Sequence, residues 1–516
     1  MPSSSLPMPQ AGRSWPSRIR RHDARIAAGA IPLILTIALL ACARIGFSTD
    51  VAWQFWVAHR LHDGATLYRD IMETNPPLWF WMAIPVDAVA DATGLMPETM
   101  LTIALGAAAA LSLIVTETLL DSVPPGRRIA LLGVAALMML VMPLGDTGQR
   151  EQYALIATLP YAALAAARRR GRVVDGRLAI AIGIGGALGF ALKHYFLGVP
   201  MLLELWLLCR ADRKLRPELA GLLAVGALYA AALLIAAPDY LRHVVPDLRL
   251  AYGAATPRTL IQMIQLTQYL WGLALALLLP PLLLTRRGTA PLATALLLAA
   301  AGFGAAWLIQ HKGWPYHAIA TTGCLALALV ALLVEAWEAL PDPVRLVAPA
   351  IAVLPLASPF LPSNPAPAAF DPAPVLAGLH RGDSLAVVST ENAFAWPVVW
   401  DRGFRYPSRY NAYWMLWAID RAAGRNPAVD ALGRRVVGET VRDYLCLPPR
   451  RIVFARPMIG APGPNAAGDP FTYFRRDPAF ARLLGHYRMV RQSGIFEAWD
   501  RIDTPGPRPA WCRRGT

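Results

Sequence analysis

The sequence predicts a polytopic α-helical membrane protein with about eleven transmembrane helices, its N-terminus inside and its C-terminus outside, followed by a soluble C-terminal α/β domain. Three observations carry this. Of 516 residues, 56% are hydrophobic and only 16% charged. Several apolar runs approach the roughly 20 residues that cross a bilayer. After residue 361 the apolar runs stop and short strand-like segments take over. The runs are continuous rather than alternating, which excludes a β-barrel.

Residues 1–25 form a basic N-terminal segment, with Arg13, Arg18, Arg20, Arg21 and Arg25 ahead of an apolar run over 26–46. That run is too long for a signal-peptide core, so it is read as the first span. Further spans are expected near 98–120, 128–145, 152–167, 177–192, 195–209, 218–237, 264–285, 289–309, 316–334 and 344–361. The arginine clusters 127–128, 168–170, 210–216 and 286–287 then all fall on the cytoplasmic side, as the positive-inside bias requires. Much of the net charge of +15 lies in such short loops, where it sets topology, and it does not point to nucleic acid.

The stretch Pro76–Gly94 is apolar but interrupted by Pro85, Asp87 and Asp91. Charges are costly in a bilayer centre. It is therefore read as an interfacial helix within an outer-face loop, 47–97, with Trp79 and Trp81 at the boundary. The transmembrane module spans 26–361. Ser363–Pro367 is a linker, and 362–516 is an exported α/β domain. In that domain Ser384–Thr390 and Arg451–Ala455 read as strands, Tyr410–Ala422 as a helix and Tyr487–Ile502 as a hairpin. Cys446 and Cys512 lie in it and can pair if it is exported. No internal repeat is evident.

The unusual polar residues all fall on the expected outer side. They are Asp50; Asp70, Glu73 and Asn75; Asp146, Arg150 and Glu151; Lys193, His194 and Tyr195; and the run Gln310–His317 with Lys312, Trp314 and His317. A transporter places its ionisable groups near mid-membrane instead. Asp50 and Asp146 are the candidate catalytic carboxylates. Lys193, Arg150 and Lys312 are candidates for a donor phosphate. Asp70, Glu73, Asn75, Glu151, His194, Tyr195, Trp314 and His317 are candidate substrate contacts. Trp53, Trp56, Trp79 and Trp314 offer faces for sugar stacking. This set suits sugar transfer from a lipid phosphate: a carboxylate takes a proton from an acceptor hydroxyl, and cations receive the departing phosphate. Each also has a plainer reading. Asp50 can cap a helix, Asp146, Arg150 and Glu151 can form a local ion pair, and Lys193 can reach to the interface. No pattern requires a cofactor. A divalent metal is allowed by His194, His311 and His317 with a carboxylate, although their spacing is not compact.

The chain resembles the GT-C superfamily of membrane glycosyltransferases, and most of all the branch with the protein O-mannosyltransferases and lipid A aminoarabinose transferases. The resemblance rests on Asp50 after the first span, Gly64-x-x-x-Tyr68-x-Asp70 leading to Pro76-Pro77-Leu78-Trp79, Asp146 after the third span, and many spans before an exported domain. It implies a GT-C-like fold, Asp50 as base, Asp146 as a companion to acceptor or metal, and inversion at the sugar. It implies as partners a polyprenyl-phosphate sugar donor, membrane lipid, and a glycan, lipid or protein acceptor at a bacterial inner membrane. Relatives often carry a basic residue before Pro-Pro-Leu and a doubled first acid. Here Asn75 and Val51 stand there, and Lys193 or Lys312 is expected to meet the phosphate. A glycan ligase or polymerase using a lipid pyrophosphate, and a flippase for lipid-linked sugar, are the alternatives.

Overall fold

A computed structural model of the chain describes residues 46–209, 216–253, 259–266, 290–360, 370–456 and 469–512, with four single positions before Gly46. The basic segment 1–25 and the linker Ser363–Pro367 lie outside those residues, as do the expected spans 26–46 and 264–285 apart from a few positions.

The helical part begins with α1 (Thr49–His62) and α2 (Leu78–Thr93), joined by the loop that carries Asp70, Glu73 and Asn75. Next come α3 (Pro97–Glu117), α4 (Pro125–Leu140), α5 (Arg150–Arg169), α6 (Gly176–Phe190) and α7 (Gly198–Leu208). They are followed by α8 (Pro217–Ala236), α9 (Val245–Gly253), α10 (Leu260–Leu266), α11 (Pro291–Gln310), α12 (Ile319–Ala336) and α13 (Asp342–Val353). Proline opens α3, α4, α8 and α11, where its missing N–H is harmless. Among the described residues, four helical stretches are long and apolar enough to cross a membrane: Pro97–Glu117, Pro217–Ala236, Pro291–Gln310 and Pro315–Ala339.

Helix α5 is the hub. It packs against α3, α6, α7, α11 and α12, and 15 of its 20 residues are buried. Helices α6 and α8 cross at Gly183 and Gly221, where a Cβ on either would meet the partner backbone within 2.5 Å. Small residues let apolar helices approach this closely.

The arginine-rich turns do more than bias topology. At the end of the module away from Asp50, Arg168 pairs with Glu218, Arg170 with Glu335, Arg127 with Glu338, Arg172 with Asp121 and Arg216 with Glu204. Helix α2 forms as expected, but Trp79 is not at a lipid boundary. It is buried, and its indole N–H donates to the Gly148 carbonyl at 3.0 Å. A buried indole needs such an acceptor.

The C-terminal part holds a four-stranded sheet, β1 (Leu385–Val388), β2 (Arg451–Ala455), β3 (Tyr487–Ser493) and β4 (Phe496–Arg501), in the order β1-β2-β4-β3. β1 and β2 run parallel, and β4 is antiparallel to both of its neighbours. Every residue of β1 and β2 is buried, as in strands covered on both faces. Both strands and the hairpin match expectation. The helix expected over Tyr410–Ala422 starts only at Leu416, because Ser408–Asn411 is held extended by its hydrogen bonds to Tyr413 and Tyr406. The longest helix here, Pro427–Cys446, is α17, counted after the short turns Ala373–Leu376 (α14), Val398–Asp401 (α15) and Leu416–Ala422 (α16). Cys446 at its end is joined by a disulfide to Cys512.

Candidate functional site

Four turns of the helical part and one turn of the sheet domain converge on the first turn of α1. Asp50 sits in that turn. It caps no backbone: Ser48 is the N-cap, and its side chain makes no capping bond. Asp50 Oδ1 instead accepts from the Asn392 amide at 2.6 Å. Asn392 comes from the sheet domain, just after β1, and no sequence reading pointed to it.

Asp146 lies in the α4–α5 turn. Burial first, then the charges of Asp50 and Glu151, raise its pKa to about 7. The same turn places Arg150 and Glu151 in the first turn of α5, both with their side chains enclosed. Gly148, at φ +94°, allows this turn to press on Val51 and Leu101, which a Cβ would meet at about 3 Å. Its N–H donates to Gln152 Oε1 at 2.7 Å, and Gln152 donates on to the Met139 carbonyl, so the turn is fastened to both helices.

The three residues of this turn do not form a local ion pair. Glu151 Oε1 takes Lys193 Nζ at 2.6 Å, across from the α6–α7 turn. Lys193 therefore points inward, 5% exposed, rather than outward to an interface. Burial lowers its pKa to about 8, helped by Arg150 and Lys312 and opposed by Glu151. Lys312, from the α11–α12 turn, donates to Tyr252 Oη at 2.8 Å and lies 4.6 Å from the ring centres of Tyr252 and Trp314. Burial, then Arg150, brings it to about 8 as well, with Asp50, Glu151 and Glu73 acting the other way. His317 is 4% exposed and sits within electrostatic reach of Lys193, Lys312 and Arg150.

Arg150 is the unusual member. It is 2% exposed, and its Nε and Nη1 have no hydrogen-bond partner in the protein. Around it Ser48 Oγ, Thr147 Oγ1, Gln149 Oε1, Glu151 Oε2 and His317 Nδ1 are buried in the same condition. Buried polar groups are almost always bonded, and an unmet charged one is especially costly. So many gathered at converging turns describe a polar surface built to be met by something other than this chain.

The remaining candidates are placed as follows. Glu73, 3% exposed, takes Trp53 Nε1 at 2.5 Å and both Asn75 N (2.8 Å) and Asn75 Nδ2 (2.6 Å). Asn75 thus turns back onto its own loop, and its carbonyl accepts from Tyr68 Oη. Trp53 joins Trp79 in the core, which removes both as sugar-stacking faces, whereas Trp314 is 39% exposed. Asp70 accepts from the Thr66 N–H at 2.8 Å and lines a separate cavity. His194 is exposed and rests on Tyr195, ring centres 3.9 Å apart. Among the described residues, His194, His311 and His317 are not gathered into a metal-binding group. A cavity of about 1020 Å³ is lined by the second half of α1, by α2 and by the sheet domain, not by Arg150 and its neighbours.

No protein-family model matches the chain. No curated protein matches it. Among solved structures, the chain is similar to the crystal structure of ArnT from Cupriavidus metallidurans bound to undecaprenyl phosphate. The identity is 12% and the TM-score 0.39, covering 94% of this chain and 99% of that one.

Proposed function

We propose that the chain is an inverting glycosyltransferase of the GT-C type. It moves a sugar from a polyprenyl-phosphate donor to an acceptor hydroxyl at the outer face of the bacterial inner membrane. The observation that carries this reading is Arg150, enclosed with Nε and Nη1 unmet and within electrostatic reach of Lys193 and Lys312, the latter also in reach of Asp50. A guanidinium in that state suits phosphate oxygens, which accept from two N–H groups at once.

The charge balance favours the reaction in that direction. The donor phosphodiester carries one negative charge. As the bond from the anomeric carbon to the phosphate oxygen breaks, its electron pair goes to the phosphate, which gains charge. Cations held around it then bind the transition state more strongly than the donor. Lys193 is largely neutralised by Glu151, so Arg150 and Lys312 supply most of the attraction. Burial raises the pKa of Asp146 to about 7, so near neutrality it carries only part of a negative charge and repels the phosphate less. Asp50 takes the acceptor proton as its oxygen attacks the anomeric carbon from the face opposite the phosphate, and the sugar inverts. Asn392 fixes the carboxylate for that step. The disulfide between Cys446 and Cys512 suits an exported sheet domain.

The test uses the full chain in detergent with a panel of polyprenyl-phosphate hexoses and pentoses. Asp50→Asn is expected to abolish covalent transfer while still binding polyprenyl phosphate, read by native mass spectrometry. Undiminished transfer in that variant removes Asp50 as the base. Lipid movement across liposomes with no covalent product supports a flippase instead.

A further inference from the structure

A second polar cluster lies away from Arg150, where the far ends of α1 and α2 meet on the wall of the large cavity. It consists of His59, His62, Asp87 and Asp91, whose ligand atoms all lie within 4.8 Å of one another. His59 and His62 are three residues apart on α1, and Asp87 and Asp91 are four apart on α2. Each pair therefore shares one helix face. Asp87 is fully buried, an unusual position for a carboxylate on so apolar a helix.

The distances carry the inference. Asp87 Oδ2 lies 3.1 Å from His59 Nδ1 and 2.9 Å from His62 Nδ1, and Asp91 Oδ2 lies 3.7 Å from His62 Nδ1. A tetrahedral zinc with bonds of about 2.0–2.1 Å has ligand atoms about 3.3 Å apart. These three of the six edges bracket that value, and all six lie within 4.8 Å, so side-chain rotation that draws the four groups together closes the shell.

A second observation is independent of the first. If His59 ligates through Nδ1, its Nε2 must carry the hydrogen, and Asp63 Oδ2 stands 3.8 Å from that nitrogen. A carboxylate behind the non-ligating nitrogen is the usual support of a metal-bound histidine. Trp400 flanks the same ring edge-on, with centres 6.2 Å apart.

We infer that His59, His62, Asp87 and Asp91 form a site for one divalent transition-metal ion of the zinc class. The ion braces α1 against α2. The rise of an α-helix puts His59 and His62 about 14–18 Å along α1 from Asp50, so the ion takes no part in chemistry there. It holds the helix that presents Asp50 and, through α2, one anchor of the loop bearing Glu73 and Asn75. His59, Asp87 and Asp91 line the cavity, and the His59 and His62 side chains are about a third exposed, which gives the ion a way in.

The test is metal binding by the full chain in detergent, stripped with chelator and titrated with Zn²⁺ and, separately, Co²⁺. One equivalent of zinc is expected, with the visible absorption of tetrahedral cobalt and a higher thermal midpoint with metal. His62→Asn is expected to weaken binding at least a hundredfold and to remove the thermal shift. Asp63→Asn is expected to weaken it about 10–100-fold. His486→Asn in the sheet domain is the control and should bind as the wild type does. Should Asp87→Asn fail to fold, the partly exposed His62 still decides the matter. Lack of stoichiometric metal in the wild-type chain overturns the inference, as does unchanged affinity in His62→Asn. Neither outcome depends on whether the chain transfers sugar.

Discussion

Asn392 and Asp50, 342 residues apart in sequence, meet at 2.6 Å, the amide of the sheet domain donating to the carboxylate of α1. The contact has aromatic support: Trp396 packs edge-on to Trp53 at 5.2 Å and tilted on Trp56 at 5.6 Å. The sheet domain is thus part of the site. A hydrogen bond to a charged group contributes about 1.5–3 kcal/mol, and the lower end applies because Asp50 is only half-buried. Asn392→Ala is expected to slow transfer about tenfold with little change in polyprenyl-phosphate binding. Equal rates in variant and wild type refute an orienting role.

Arg150 makes a prediction of opposite sign for two properties. Arg150→Met should weaken polyprenyl-phosphate binding at least tenfold, since a bidentate charged contact is lost. It should leave the thermal midpoint of the free protein unchanged or raised, since an enclosed charge with unmet donors is removed. Native mass spectrometry and thermal unfolding in detergent measure the two. A large fall in midpoint without lipid contradicts this account of Arg150.

The Lys193–Glu151 pair behaves differently because each charge has an opposite charge in contact, Lys193 Nζ on Glu151 Oε1. Lys193→Met strands a buried carboxylate and is expected to cost about 3–5 kcal/mol. Combining it with Glu151→Gln should recover most of that loss. A double-variant cycle on unfolding in detergent reads the coupling, and additive losses count against a buried pair.

Asp146 gives stability a pH dependence. Its folded pKa, about 7, lies above the ordinary carboxylate value, so folding favours its protonated form. That contribution is complete below about pH 4, declines as pH rises, and is gone above about pH 7. Asp146→Asn should therefore raise the thermal midpoint at pH 8 and leave it little changed at pH 4. Parallel pH profiles for variant and wild type rule out a raised pKa.

Much of the fold was legible because apolar runs announce themselves: α3, α8 and α11 fall where hydropathy put them. Strands β1 and β2 were legible as short runs, wholly apolar in β1 and apolar after Arg451 in β2. Helix α17 was not, because its apolar face is interleaved with Arg434, Arg435, Glu439 and Arg442. The start of α16 was misplaced because Tyr410 and Tyr413 look periodic but serve tertiary hydrogen bonds. At the site, the polar turns were visible as outliers among apolar spans. Their pairings were not, since Glu151 chooses Lys193 over its neighbour Arg150 through packing of α5 on α6. Asn392 carried no signal in sequence. His59-x-x-His62 and Asp87-x-x-x-Asp91 did, in their helical spacing, but only the contact of α1 with α2 gives those spacings a common centre.

Helix α5 is gripped at both ends, by Lys193 on Glu151 at one and by Glu218 and Glu335 on Arg168 and Arg170 at the other, and it is enclosed along its length. A rod held this way cannot slide or turn without breaking these ion pairs. Arg150 and Asp146 thus belong to the stationary half of the machine. On the proposed function, the opening that admits a lipid donor and releases product comes from what leans against them: the loop after α1, the Gln310–His317 turn, or the sheet domain that reaches in with Asn392. Changes in acceptor preference are expected to accumulate on those leaning parts, while α5 stays as the common frame.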